Sequence, residues 1–152
     1  MGIDEEKGYF SIDAVFALLI LVAVSSTFLV GARQSRVMAR ETSTQIEQKM
    51  ALEKIAAGVN KVYANGYRDD ENFELKLDMK ENILKNNQRI QVDVKEGFLY
   101  VKNLDDNSIS PIKASIIPLN VENFSLDSDD MSKKLRIFWG KENIRIEPVE
   151  GW

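Results

Sequence analysis

Residues 14–32 read AVFALLILVAVSSTFLVGA, 19 positions without a single charge. At about 1.5 Å of rise per residue, a helix of that length covers roughly 28 Å, close to the hydrocarbon thickness of a bilayer. Its apolar residues follow no single face, so such a helix needs lipid or other helices on every side. That demand separates the segment from the rest of the chain, whose polar and apolar residues are mixed as in an ordinary globular domain.

An ordinary secretory signal has a basic start, a shorter apolar core and a small-x-small cleavage site. Here the preceding MGIDEEKG sets three acids against Lys7, and the passable site Ala23-Val24-Ser25 lies inside the apolar run. A plain single-span anchor accounts for length and hydrophobicity. It leaves Lys7-Gly8-Tyr9-Phe10-Ser11-Ile12-Asp13 unexplained, where a cation and a glycine precede the apolar stretch and one carboxylate stands at its edge.

That segment resembles the class III signal peptide of type IV prepilins, in particular those of methanogenic archaea. In that family a basic residue and a glycine precede the cut, and a serine and an acid stand third and fifth in the trimmed chain. Cleavage after Gly8 would place Ser11 third and Asp13 fifth. The methanogen pattern usually has glutamine first and glutamate fifth, where this chain has Tyr9 and Asp13. The likeness covers about the first 30 residues. It implies a processing site made of Lys7, Gly8, Tyr9 and Ser11, read by a prepilin peptidase. It further implies assembly with other pilin subunits into a surface filament by a membrane platform and its ATPase. Asp13 would then meet the new α-amino group of Tyr9 on a neighbouring subunit and set the axial register.

The residue types suit those roles. Gly8 offers the peptidase a flexible bond with little bulk, and removing MGIDEEKG strips the polar flank from the helix. A carboxylate at the bilayer centre costs on the order of 3 kcal/mol, but Asp13 lies near the end of the span, where it reaches the headgroups and the favourable end of the helix dipole. Taken alone, it reads equally well as a helix-start acid at the membrane interface. Arg33, Arg36 and Arg40 follow the span while only Lys7 precedes it. The positive-inside rule would therefore put the C-terminal part in the cytoplasm, whereas the trimming motif demands that it face outward.

Residues 33–65 contain no proline and many helix formers,. Leu52, Ile55, Ala56, Val59, Val62 and Tyr63 recur at three- and four-residue spacing and draw one stripe expected to lie on a sheet. Asn65-Gly66 reads as the stop. The helix is expected over 10–64, weakest at Gly31 and Gly58.

Beyond Gly66 the period changes to two. Phe73, Leu75, Leu77 and Met79 form one strand pattern and Ile90, Val92 and Val94 another. Lys95-Glu96-Gly97 turns into a strand over 98–101, and Gly140-Lys141-Glu142-Asn143 joins 135–139 to 144–147. Residues 112–117, bordered by Pro111 and Pro118, are expected at a sheet edge. Five or six strands on one helix stripe make an α+β fold: a long N-terminal helix packed on a small antiparallel β-sheet head. The expected organisation is 1–8 signal peptide, 9–32 filament-core or membrane helix, 33–66 amphipathic helix and 67–152 β-rich head.

No cysteine and no histidine occur, which removes thiolate and imidazole chemistry, and no spacing marks paired catalytic carboxylates or a phosphate loop. No enzymatic activity and no cofactor are expected. The net charge of -4 and the lack of a basic stripe argue against nucleic acid as a partner,. The acids Asp127, Asp129 and Asp130 lack the glycine and spacing of a calcium loop and read as a solvated loop. Asn123-Phe124-Ser125 fits a glycosylation acceptor at Asn123, a pattern that chance often produces. Phe98, Tyr100, Trp139 and Trp152 read as core or edge packing. The expected location is the cytoplasmic membrane, head outside, and after assembly a surface filament.

Overall fold

The computed structural model describes residues 12–67, 73–79 and 83–150. Its first element, α1 (Ile12–Asn65), is an unbroken helix of 54 residues, as the lack of proline over this stretch allows. It ends where the sequence places the stop. Gly66 takes φ +70°, and its N–H donates to the Tyr63 carbonyl at 3.0 Å. The helix passes through Gly31 and Gly58 without interruption. The chain divides into two compact units, Met1–Thr42 and Ser43–Trp152.

In the second unit the latter part of α1 is joined by β1 (Glu74–Asp78), β2 (Gln88–Asp93), β3 (Phe98–Asn103), β4 (Ile109–Ser115), β5 (Ser125–Leu126), α2 (Ser128–Met131), β6 (Lys134–Trp139) and β7 (Ile144–Val149). The strands form two antiparallel sheets, ordered β1-β6-β7 and β4-β3-β2-β5. The fold class is α+β, as expected, but the single sheet becomes two. Local turns close the β2-β3-β4 meander, while β1 crosses the sequence to pair with β6, Leu75 opposite Ile137 and Leu77 opposite Leu135. Alternation identifies a strand without naming its partner.

Turn chemistry matches the residues. Gly97 takes φ +71°, and the Asp93 Oδ1 accepts from the Lys95 and Glu96 N–H groups at 3.1 Å each. Val94 belongs to this turn rather than to β2, and Met79 falls just past β1. Pro111 lies inside β4 rather than at its border, and Pro148 lies in β7; both strands are edges of their sheets, where a missing N–H is tolerated.

Leu52, Ile55, Ala56, Val59 and Val62 are all buried, together with Gln48, Ala51 and Gly58. Tyr63 is 42% exposed and rests against Trp139, ring centroids 6.2 Å apart. Burial of Gln48 is tolerable because its Nε2 donates to Gln88 Oε1 at 2.9 Å and to the Ile83 carbonyl at 3.3 Å,. Trp139 does more than pack. Its Nε1 donates at 3.0 Å to the Val62 carbonyl, one of the last four helix carbonyls that no intrahelical N–H can reach. Asn60 Oδ1 accepts from the Ile117 N–H at 2.8 Å, so the helix is pinned to the segment after β4 as well. One buried cluster draws on α1 and both sheets.

The acids at 127–130 are not a loop. Asp127 is the N-cap of α2: its Oδ1 accepts from the Asp129 and Asp130 N–H groups at 3.0 Å, while Asp130 Oδ2 accepts from the Asp127 N–H at 3.2 Å, completing a capping box,. The Asp130 amide is the main influence holding the Asp127 carboxyl below its ordinary 3.8, against a weaker opposing effect of desolvation. A carboxyl so depressed stabilises the fold above its unfolded pKa, and the stabilisation is lost as pH falls through the folded value. Asp127→Ala is expected to destabilise the head by about 1 kcal/mol at neutral pH. In denaturant titrations across pH, the gap to the parent should narrow once the solution falls below that ordinary 3.8. An equal gap at all pH values would remove the charged cap from the account.

Candidate assembly helix

The first unit is described over residues 12–42, all of it α1. None of its side chains is buried in this chain; the first buried residue of the helix is Gln48. Ile12 is 74% exposed, Phe16 60% and Phe28 75%. The best 18-residue window has a mean hydropathy of 2.5 and is 0% buried. The helix is long and apolar enough to cross a membrane, and so much bare apolar surface is unfavourable in water.

The hydroxyl groups in the segment suit such surroundings. Ser26 Oγ donates to the Val22 carbonyl at 2.7 Å. Thr27 Oγ1 reaches the Ala23 and Val24 carbonyls at 3.0 and 2.8 Å. Both donors are satisfied by the preceding turn, so neither needs water or lipid as an acceptor. In the sequence these residues stand only as uncharged positions of the run. Spacing alone carries their signal, because any serine or threonine inside a helix has a carbonyl four residues back.

Asp13 stands in the first turn of α1, where a carboxylate meets the positive end of the helix dipole. Lys7, Gly8, Tyr9 and Ser11, the processing-site residues, lie outside the described residues, as does Trp152. Arg33, Arg36 and Arg40 are exposed immediately beyond the apolar run.

On the head, Asn123 is exposed just before β5, with Ser125 also exposed, so the acceptor side chain is accessible. It sits beside the Glu122–Arg145 ion pair of 2.6 Å. An open depression of about 650 Å³ is walled in part by Asp93, Tyr100, Glu122, Asn123 and Asn143. Two of its polar groups have structural duties: Asp93 holds the turn before β3, and the Tyr100 hydroxyl donates to Gln91 Oε1 at 3.1 Å. Phe98 packs edge-to-face on Tyr100 with centroids 5.8 Å apart, in line with the packing role read for both. Among the described residues no group of three or more Asp or Glu side chains is placed to hold a metal ion.

No family model matches the chain, and no match was found among curated proteins or solved structures.

Proposed function

We propose that this chain is a structural, non-catalytic subunit of an archaeal type IV pilus-like surface filament. In this reading a prepilin peptidase trims it after Gly8, and it assembles through its N-terminal helix. The observation that carries the reading is the division of labour within α1. From Gln48 onward the helix closes the head's core, while residues 12–42 add no buried side chain to it. The head's buried core draws nothing from them, so a long bare helix is explained by an apolar partner outside the chain. A bilayer serves first and neighbouring copies of the helix serve after extraction.

Lipid already shields the apolar surface, so assembly draws little from removing it from water. Side-chain packing and polar pairing between helices decide the outcome. The motif of Lys7, Gly8, Ser11 and Asp13 supports trimming, and Asp13, in the first turn of the helix, is the carboxylate that would meet the Tyr9 amine of a neighbouring subunit. The membrane assembly platform with its ATPase, and other pilin subunits, are the partners this role requires.

A second reading is favoured by Arg33, Arg36 and Arg40: a single-pass anchored protein with a small sensing or binding head, oriented by the positive-inside rule. Intact mass of the protein recovered from membranes and from sheared filaments separates the two. Loss of residues 1–8 is the expected result. Full-length protein in both fractions would sink the subunit reading and leave the anchor.

A further inference from the structure

We propose that Arg33, Arg36 and Arg40 form a headgroup clamp that binds the phosphates of anionic lipids at the C-terminal end of the span. The inference rests on residues 14–32 crossing a bilayer, a premise common to both readings of function above.

Position comes first. Arg33 directly follows the last residue of the uncharged run. From Arg33 to Arg40 the helix rises about 10 Å, while each headgroup layer is roughly 5–8 Å deep. With the reach of their side chains, all three guanidinium groups fall within that layer. Spacings of three and four residues gather them into an arc of about 60° on one side of α1. They therefore address the same few lipids rather than a full ring.

Charge is the second observation. Arginines three and four apart on a helix repel one another. The sequence supplies no Asp or Glu three or four positions from Arg33 or Arg36, and the first acid after the span is Glu41. A shared layer of anions removes that repulsion. Chemistry is the third: a guanidinium offers a planar fork of donors that grips a phosphate through two hydrogen bonds, and its charge persists at any physiological pH. A juxtamembrane cation cluster of this kind attracts acidic lipid over zwitterionic lipid.

The test uses the full chain in vesicles of phosphatidylcholine containing phosphatidylglycerol. Insertion is scored separately by resistance to carbonate extraction. Association of spin-labelled phosphatidylglycerol and spin-labelled phosphatidylcholine with the protein is then read by electron paramagnetic resonance. The parent should prefer phosphatidylglycerol several-fold. The triple variant R33Q/R36Q/R40Q should insert equally well with the preference reduced to about one, and a triple Lys variant should keep part of it. Replacing chloride by inorganic phosphate at equal ionic strength should leave the parent's preference in place.

An inserted parent with no preference, or a Gln variant that keeps it, overturns the clamp and leaves the membrane reading standing. Loss of preference to free phosphate assigns the cluster to a soluble anion and overturns the lipid assignment. Self-association of the parent that vanishes in the Gln variant, with no lipid preference, assigns it to a second copy and overturns the clamp. Failure of the parent to resist extraction removes the clamp and the span together.

Discussion

Gly58→Leu is expected to destabilise the head by roughly 3 kcal/mol or more, the upper range for forcing extra methylenes into a packed core. For a unit of this size that is a fall in Tm on the order of 10–20 °C. The cause is the closeness of α1 to the β1-β6-β7 sheet. A Cβ at position 58 would stand 2.7 Å from Ile137 Cδ1 and 3.2 Å from both Leu75 Cδ2 and Leu77 Cδ1. Ile137 is fully buried at the centre of the core, so a leucine must move three side chains or lift the helix from the sheet. Gly58→Ala should differ. One methyl displaces chiefly the flexible end of Ile137, and the gain of about 1 kcal/mol in helix propensity offsets much of the strain. Thermal unfolding of both variants in detergent, followed through near-ultraviolet circular dichroism, reads the difference. A leucine variant melting with the parent would show that the helix does not lie this close to the sheet.

The same glycine marks where sequence reading stops. Periodicity located Leu52, Ile55, Ala56, Val59 and Val62 because apolar side chains declare the face they occupy. Gly58 lies on that face too, but it has no side chain to declare it, and its contribution is the space it leaves for Leu75, Leu77 and Ile137. Gln48 was hidden for the opposite reason. It is a polar residue made burial-competent by Gln88 Oε1 and the Ile83 carbonyl, and both partners lie far away in sequence.

Strands were legible wherever one face is buried, as with Ile90 and Val92, since alternation follows from the pleat. Their pairing was not, because the choice between one sheet and two depends on whether β1 meets β2 or β6. Local polar chemistry divided similarly. Lys95-Glu96-Gly97 reads as a turn in one dimension, whereas the Asp127 capping box looks like any acidic loop until the N–H groups it serves are seen to belong to a helix. The candidate assembly helix was the most legible feature of all. Nineteen uncharged residues admit few environments, and their bareness in the folded chain follows directly from their composition.

Asp13→Ala is expected to leave trimming intact and to reduce incorporation into filaments by a factor of roughly 10²–10⁴. The size follows from the about 3–5 kcal/mol lost when one partner of a buried charge pair is removed and the other is stranded. In the bilayer Asp13 lies close enough to the headgroups to remain hydrated, so its removal should not prevent insertion. Inside a filament the Tyr9 amine would have no carboxylate to meet, and desolvating it alone opposes packing. Asp13→Glu, which restores the acid usual at the fifth position of the prepilins this segment resembles, should retain most of the yield. Asp13→Asn, which keeps the shape but removes the charge, should behave like alanine. Trimmed and untrimmed protein are told apart by mass, and filament yield is measured by shearing. Normal yield from Asp13→Ala would remove the charge pair from assembly. Untrimmed Asp13→Ala protein would instead make the carboxylate part of what the peptidase reads.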